Sequence, residues 1–449
     1  MAGFPSVERH STSAEKDTAM KRAALALFAL VAASSALAQE KGAAEEKAGR
    51  GEKMGQMAHA APPACADPLP KCAVSATPSF GADGRLWLTY AVAGKVYGAV
   101  SSDNGKSFAP PFVIAAPAGT LDDNGEARPK IVALADGTLV ASFTTRPEKS
   151  YEGTVFVTRS TDEGKSFAPP QPLVDDKGQR FETFIVGPKG RLYAAWLDKR
   201  DAAKAKAAGE SFEGSGIAVA WSDDGGKSFS GKSILLDHSC ECCRIGAALD
   251  RDGQPVFMWR HVFENNRRDH IAAKLSADGK TLTGSRVSLD DWATTCPHQG
   301  PAMAIDAAGR WHIAWFTRGK TRQGLFYARS EDGGKSFSEP ERIGDAERAP
   351  QRPQLLANGG KLYRAWKEFD GTLTTILAQS SRDGGKSFDA PRALAQTAEA
   401  SDHPLLVESK GVAYLSWLTQ QEGYRLVPLE RGHAAAQAPK ATAGLATKR

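Results

Sequence analysis

Apolar and polar positions along this chain repeat in one unit. A glycine in a turn is followed six residues later by an aromatic that ends an apolar strand. This occurs at Gly84/Tyr90, Gly137/Phe143, Gly190/Trp196, Gly253/Trp259, Gly309/Trp315, Gly360/Trp366 and Gly411/Trp417. Seven matches at one fixed offset mark an internal repeat. The glycine-to-glycine spacings of 53, 53, 63, 56, 51 and 51 residues suit four short strands with turns. One unit reads as a lead-in strand over 130–135, a second strand closing on the aromatic, a third over 154–160 and a short fourth over 172–174. Short strands with turn signals every roughly 8–12 residues predict an all-β fold, and radial repetition protects the sheet edges.

A second pattern interleaves with the first. Ser-x-Asp-x-Gly-x-Ser-Phe occurs at 101–108, 160–167, 222–229, 330–337 and 381–388, with a shortened copy at 276–282. The Asp side chain can accept N–H groups across its own turn, the Gly supplies positive φ, and the Phe can pack between neighbouring sheets. A calcium-loop reading of Asp223-Asp224-Gly225-Gly226 fails, because the alternating acids and distal Glu of an EF-hand loop are missing. These copies resemble the Asp box of the sialidase superfamily, over residues 65–431. The resemblance implies an all-β propeller with Asp-box repeats as scaffold. Seven blades are favoured, with six, the number in the sialidases, as the alternative. The seventh unit has no box, so its outer strand is either missing or supplied by 65–74. The boxes and glycine turns then lie on one side, and the loops leading into each innermost strand on the other. In the enzymes this chain resembles, that second face binds substrate.

Outside the repeats the chain changes character. Lys21-Arg22, an apolar run from Ala23 to Ala33 and Ala36-Leu37-Ala38 have the order of a secretory signal. Residues 1–38 are read as an N-terminal extension and signal, 39–64 as a flexible leader and 432–449 as a disordered tail. The apolar run is too short to span the ~30 Å hydrocarbon core of a bilayer, and no later run is longer. A net charge of +5 over 449 residues is too weak to argue for nucleic acid or an anionic membrane. The expectation is a periplasmic or secreted monomer that does not span a membrane.

The lead-in segments carry the candidate chemistry. Arg128, Arg244 and Arg352 each open a different unit, and their guanidinium forks could together clamp a carboxylate or another anion, with Glu126 and Asp402 alongside. The alternative is three arginines paired with Glu126, Glu182 or Asp402. The superfamily resemblance implies an arginine triad, a Tyr nucleophile with a Glu partner, and an acidic proton donor. The superfamily's Arg-Ile-Pro motif is absent; Arg128-Pro129 and Arg244-Ile245-Gly246 are fragments of it. Of the tyrosines, only Tyr151 falls in a loop on the right face. No catalytic residue is assigned on this pattern.

Cysteine is the more specific signal. Cys65 and Cys72 precede the first unit, while Cys240, Cys242, Cys243 and Cys296 lie on neighbouring lead-in loops with His238 and His298 beside them. Disulfide staples joining Cys65 to Cys72 and Cys296 to the Cys240 cluster are one reading. A copper or zinc site is another, and redox-active thiols a third. Met54, Met57 and His59 in the leader would favour copper if they take part. The functional expectation is a central Cys/His/Arg face that binds a metal ion or an anionic small molecule or glycan. The alternative is an exo-sialidase-type glycoside hydrolase.

Overall fold

The computed structural model describes residues 65, 67–147, 152–210, 212–293 and 298–430. The expected signal and leader, the tail, Tyr151 and Cys296 lie outside the described residues. Each glycine–aromatic unit folds as an antiparallel meander. The first comprises Ala76–Phe80, Leu86–Val92, Lys95–Ser101 and Phe112–Ala115, hydrogen-bonded in that order. In the second, the strand Thr154–Ser160 stands as read, but the lead-in strand ends at Ala133 and the outer one is Gln171–Pro172. The early stop is local: Leu134 and Thr138 close the Gly137 turn through backbone hydrogen bonds.

Seven such meanders occupy six hydrogen-bonded sheets. A single bridge, Ser239 to His261, joins the third and fourth into one sheet of eight strands. The last meander, Leu405–Ser409, Val412–Thr419 and Gly423–Pro428, has three strands. Among the described residues its outer strand is missing, the first of the two alternatives, and the segment 65–74 forms a 3₁₀ turn, Pro70–Cys72, closed by a Cys65–Cys72 disulfide. Cys72 and Ala73 pack there with Leu418, Tyr424 and Leu426. No helix among the described residues is long and apolar enough to cross a membrane.

The recurring aromatic is the core anchor. Tyr90, Phe143, Trp196, Trp259, Trp315, Trp366 and Trp417 are all under 2% exposed. Six residues separate each from its turn glycine, which sets the aromatic at a fixed depth in the second strand, facing the adjacent sheet. A buried indole needs an acceptor. Trp196 finds Asp198 at 2.8 Å, Trp315 finds Asp290 at 2.7 Å and Trp366 finds Glu368 at 2.7 Å.

The boxes fold as their chemistry requires. In the copy at 222–229, Asp224 Oδ1 accepts from Lys227 N, Ser228 N and Ser222 Oγ, and Oδ2 accepts from Ser228 Oγ. Gly385 shows why the box glycine is needed: its φ is +77°, and a Cβ would run into the Tyr327 hydroxyl on the previous meander. The box phenylalanines face neighbouring sheets in the same way. Phe388 meets Tyr327 at 5.1 Å, Phe167 meets Phe112 at 6.0 Å, and Phe108 meets Tyr424 of the last meander at 5.6 Å.

Candidate functional site

The lead-in strands of all seven meanders line one central cavity of about 560 Å³. Glu126, Arg128, Lys130, Glu182, Arg244 and His403 contribute to its wall. Two local distortions interrupt lead-in strands. Register slips between Arg180 and Thr183, and again between Gln351 and Gln354. Within these bulges Phe181 and Arg352 take left-handed φ values of 57° each. Such backbone is uncommon for residues with a Cβ and is held only where surrounding contacts over-determine it.

Glu126 is the hub. Asn124 Oδ1 accepts the N–H groups of Glu126 and Ala127, both at 2.9 Å, and shapes the loop. Glu126 Oε1 accepts from Arg244 Nη1 and Arg352 Nη1, each at 2.8 Å; Oε2 accepts from the backbone of Arg244 at 3.0 Å and Gly300 at 2.9 Å. Burial alone would raise this carboxyl, but Arg244, Arg352 and the two N–H groups hold it below its usual value. Arg352 Nη1 also donates to the His298 carbonyl, while its Nε is buried without a partner. His403 Nδ1 sits 3.5 Å from Glu126 Oε1, too far for a hydrogen bond, and burial beside Arg352, Arg128 and Arg244 holds the ring neutral.

Arg128 is placed beside this hub but occupied differently. It grips Asp402 in a bidentate pair, 2.7 Å on both arms, and donates further to the carbonyls of Ala76 and Gly125. Asp402 also accepts the Ala76 N–H at 3.1 Å. All three arginines therefore converge, and each holds a carboxylate of the chain itself, the pairing weighed above as the alternative to an anion clamp.

Two groups that the repeat pattern did not single out join them. Asp123 bonds Ser75 at 2.6 Å, and burial pushes its carboxyl up to about 7. Lys367, just after an anchor tryptophan, donates to the Ser401 carbonyl at 3.1 Å; burial and then Arg352 lower its ammonium to about 8. Asp123 was legible by position, three residues ahead of Glu126 in the same loop. Lys367 lies at the far end of a second strand and carried no signal of its own. The cationic side chains Arg128, Arg244, Arg352 and Lys367 thus gather around the carboxyls Glu126, Asp402 and Asp123.

The cysteine cluster adjoins this centre, with Cys243 next to Arg244 in the chain and within electrostatic reach of Glu126 and Arg352. The sulfurs of Cys240, Cys242 and Cys243 lie within 4.8 Å of one another. Cys242 is disulfide-bonded, whereas Cys240 and Cys243 are buried thiols. The hydrogen bond from Cys243, with Arg260 and Arg268 nearby, brings the Cys240 thiol down to about 6 and pushes that of Cys243 up. His238 and His298 do not join this group. His238 is 45% exposed, pairs with Asp237 at 3.0 Å and stacks on Phe212; the His298 ring is exposed.

No family model and no curated protein matches the chain. Solved structures do. An ulvan lyase of a polysaccharide lyase family, solved bound to a GlcA-Rha3S unit, aligns at TM-score 0.52 and 11% identity, covering 77% of this chain and 89% of that one. A Hadza microbial sialidase aligns at 0.47 and 17%, covering 76% and 73%. A GH93 α-L-arabinofuranosidase of Fusarium graminearum aligns at 0.43 and 12%, covering 80% and 92%. At such identities the likeness is one of architecture: the chain is an all-β propeller carrying Asp-box turns, a fold found among carbohydrate-active enzymes.

Proposed function

We propose that this is an exported propeller whose axial face binds the carboxylate of an acidic saccharide through Arg244 and Arg352. The observation that carries it is the convergence of three arginines and Lys367 around Glu126, Asp402 and Asp123, with Arg352 Nε buried and unpartnered. A low-dielectric centre where cationic side chains gather favours an anionic ligand. Arg128 and Asp402 frame the site, and the channel beyond Glu126 gives a saccharide room.

Calorimetric titration of the full chain with a glucuronate or galacturonate oligosaccharide tests this. Arg352→Ala should weaken binding at least about tenfold, roughly 1.4 kcal/mol. Equal binding of a neutral oligosaccharide of the same length, or unchanged affinity in Arg352→Ala, would defeat the reading.

Exo-sialidase-type hydrolysis is the second reading, and Asp123 favours it. A carboxyl poised near 7 on the axial face is suited to proton donation. A fluorogenic sialoside should then turn over, with Asp123→Asn losing at least about a hundredfold in kcat; absence of turnover in the wild type removes this reading. A copper or zinc ion at the cysteines is the weaker proposal. Three sulfurs suit a soft ion, but one is held in a disulfide and Arg268 donates to another. Metal analysis before and after reduction checks it.

A further inference from the structure

We propose that Cys240, Cys242 and Cys243 form a thiol–disulfide exchange site, an activity separate from the carboxylate site. Cys240 and Cys243 are each 2% exposed and have Cys-x-x-Cys spacing, the spacing of dithiols that cycle between open and bridged forms. Cys242 lies between them in sequence and is already disulfide-bonded. Its Sγ is 3.4 Å from Cys240 Sγ, so a nucleophilic sulfur touches a disulfide sulfur. Arg268 Nη1 donates to Cys240 Sγ at 3.3 Å, and the Arg260 carbonyl anchors the Cys240 N–H at 2.8 Å. A guanidinium in that position stabilises the thiolate, the form that attacks.

Exchange proceeds in two balanced steps. The Cys240 thiolate attacks Cys242 Sγ; a Cys240–Cys242 bond forms as the existing disulfide breaks, and the electron pair leaves on the released partner sulfur. Cys243 gives its proton to solvent and attacks Cys240 Sγ. A Cys240–Cys243 bond forms, and Cys242 leaves as a thiolate that takes up a proton. One disulfide and two reduced sulfurs are present before and after, so no oxidant is consumed. The bridge has moved onto two buried cysteines, and the half-buried Cys242 has become a thiol. An external thiol or disulfide compound that reaches Cys242 is the class of substrate this arrangement fits.

The test uses the full chain purified without reductant. It is incubated at neutral pH, acid-quenched, blocked with N-ethylmaleimide and digested with trypsin, which releases the three cysteines in one peptide, residues 233–244. In the wild type a growing fraction should carry an internal bridge and one label, on Cys242. Cys240→Ser should keep Cys242 bridged to its original partner, with label on Cys243 alone. Should that variant not fold, Cys243→Ser serves instead and should accumulate the Cys240–Cys242 bridge. Wild-type Cys242 that never labels, or Cys243→Ser without the trapped bridge, overturns the proposal. Saccharide titration on the same samples reads the carboxylate site separately.

Discussion

Glu126 is a buried carboxylate held by donors from two arginine side chains and two backbone N–H groups. Charge taken out of water is tolerated because every lone pair meets a donor. Glu126→Gln keeps the shape but leaves Arg244 and Arg352 facing each other without an anion between them. Breaking a buried pair in this way costs about 3–5 kcal/mol, and urea unfolding should show a loss of that order. Added glucuronate should restore part of it, since an anion would then stand between the same guanidiniums; a loss untouched by the ligand would count against the carboxylate site. The residues of this centre were legible as a set because each opens its own repeat. Their pairing was not. It depends on the bulge between Gln351 and Gln354 and on left-handed Arg352, which no local pattern announces.

Strands and turns were the most readable level, because one offset from glycine to aromatic and one eight-residue box report directly on sheet depth and hairpin closure. Boundaries were less so: the lead-in strand at Lys130 stops two residues early, where the turn's own hydrogen bonds take over. The box also sets an acid limit on stability. Hydrogen bonds from the Ser166 hydroxyl, the Ser160 hydroxyl and the Ser166 N–H hold Asp162 down to about 2, below its ordinary 3.8. A depressed folded value means that the contribution is fully present above the unfolded value and is lost as pH falls through the folded one. Asp103 behaves alike. The melting temperature should therefore hold near neutrality and fall below about pH 4. Asp224→Ala removes one such set of bonds; a stability loss on the order of 1 kcal/mol is expected at pH 7, with a shallower acid slope than wild type in thermal melts.

At the scale of the whole molecule the open question in the sequence was how the last repeat meets the first. Among the described residues each sheet contains only strands from consecutive stretches of chain, so no strand exchange joins the first meander to the last. Side chains do it instead. Arg128 of the second meander holds Asp402 at the start of the seventh, Asp402 holds the Ala76 N–H of the first, and Phe108 packs on Tyr424. Closure of this kind is local, and its loss should be local as well. Asp402→Ala strands a buried guanidinium, at a cost of about 3–5 kcal/mol. Hydrogen exchange should show that loss first in Leu405–Ser409 and Gly423–Pro428, the three-stranded end, while Trp311–Arg318 on the fifth meander stays protected. The 3₁₀ turn and its Cys65–Cys72 bridge rest against the same end, so reducing that disulfide should deepen the effect in Asp402→Ala more than in wild type. Exchange that rises uniformly over all seven meanders would mean that the ring opens as one cooperative unit, and that the Arg128–Asp402 pair is not its seam.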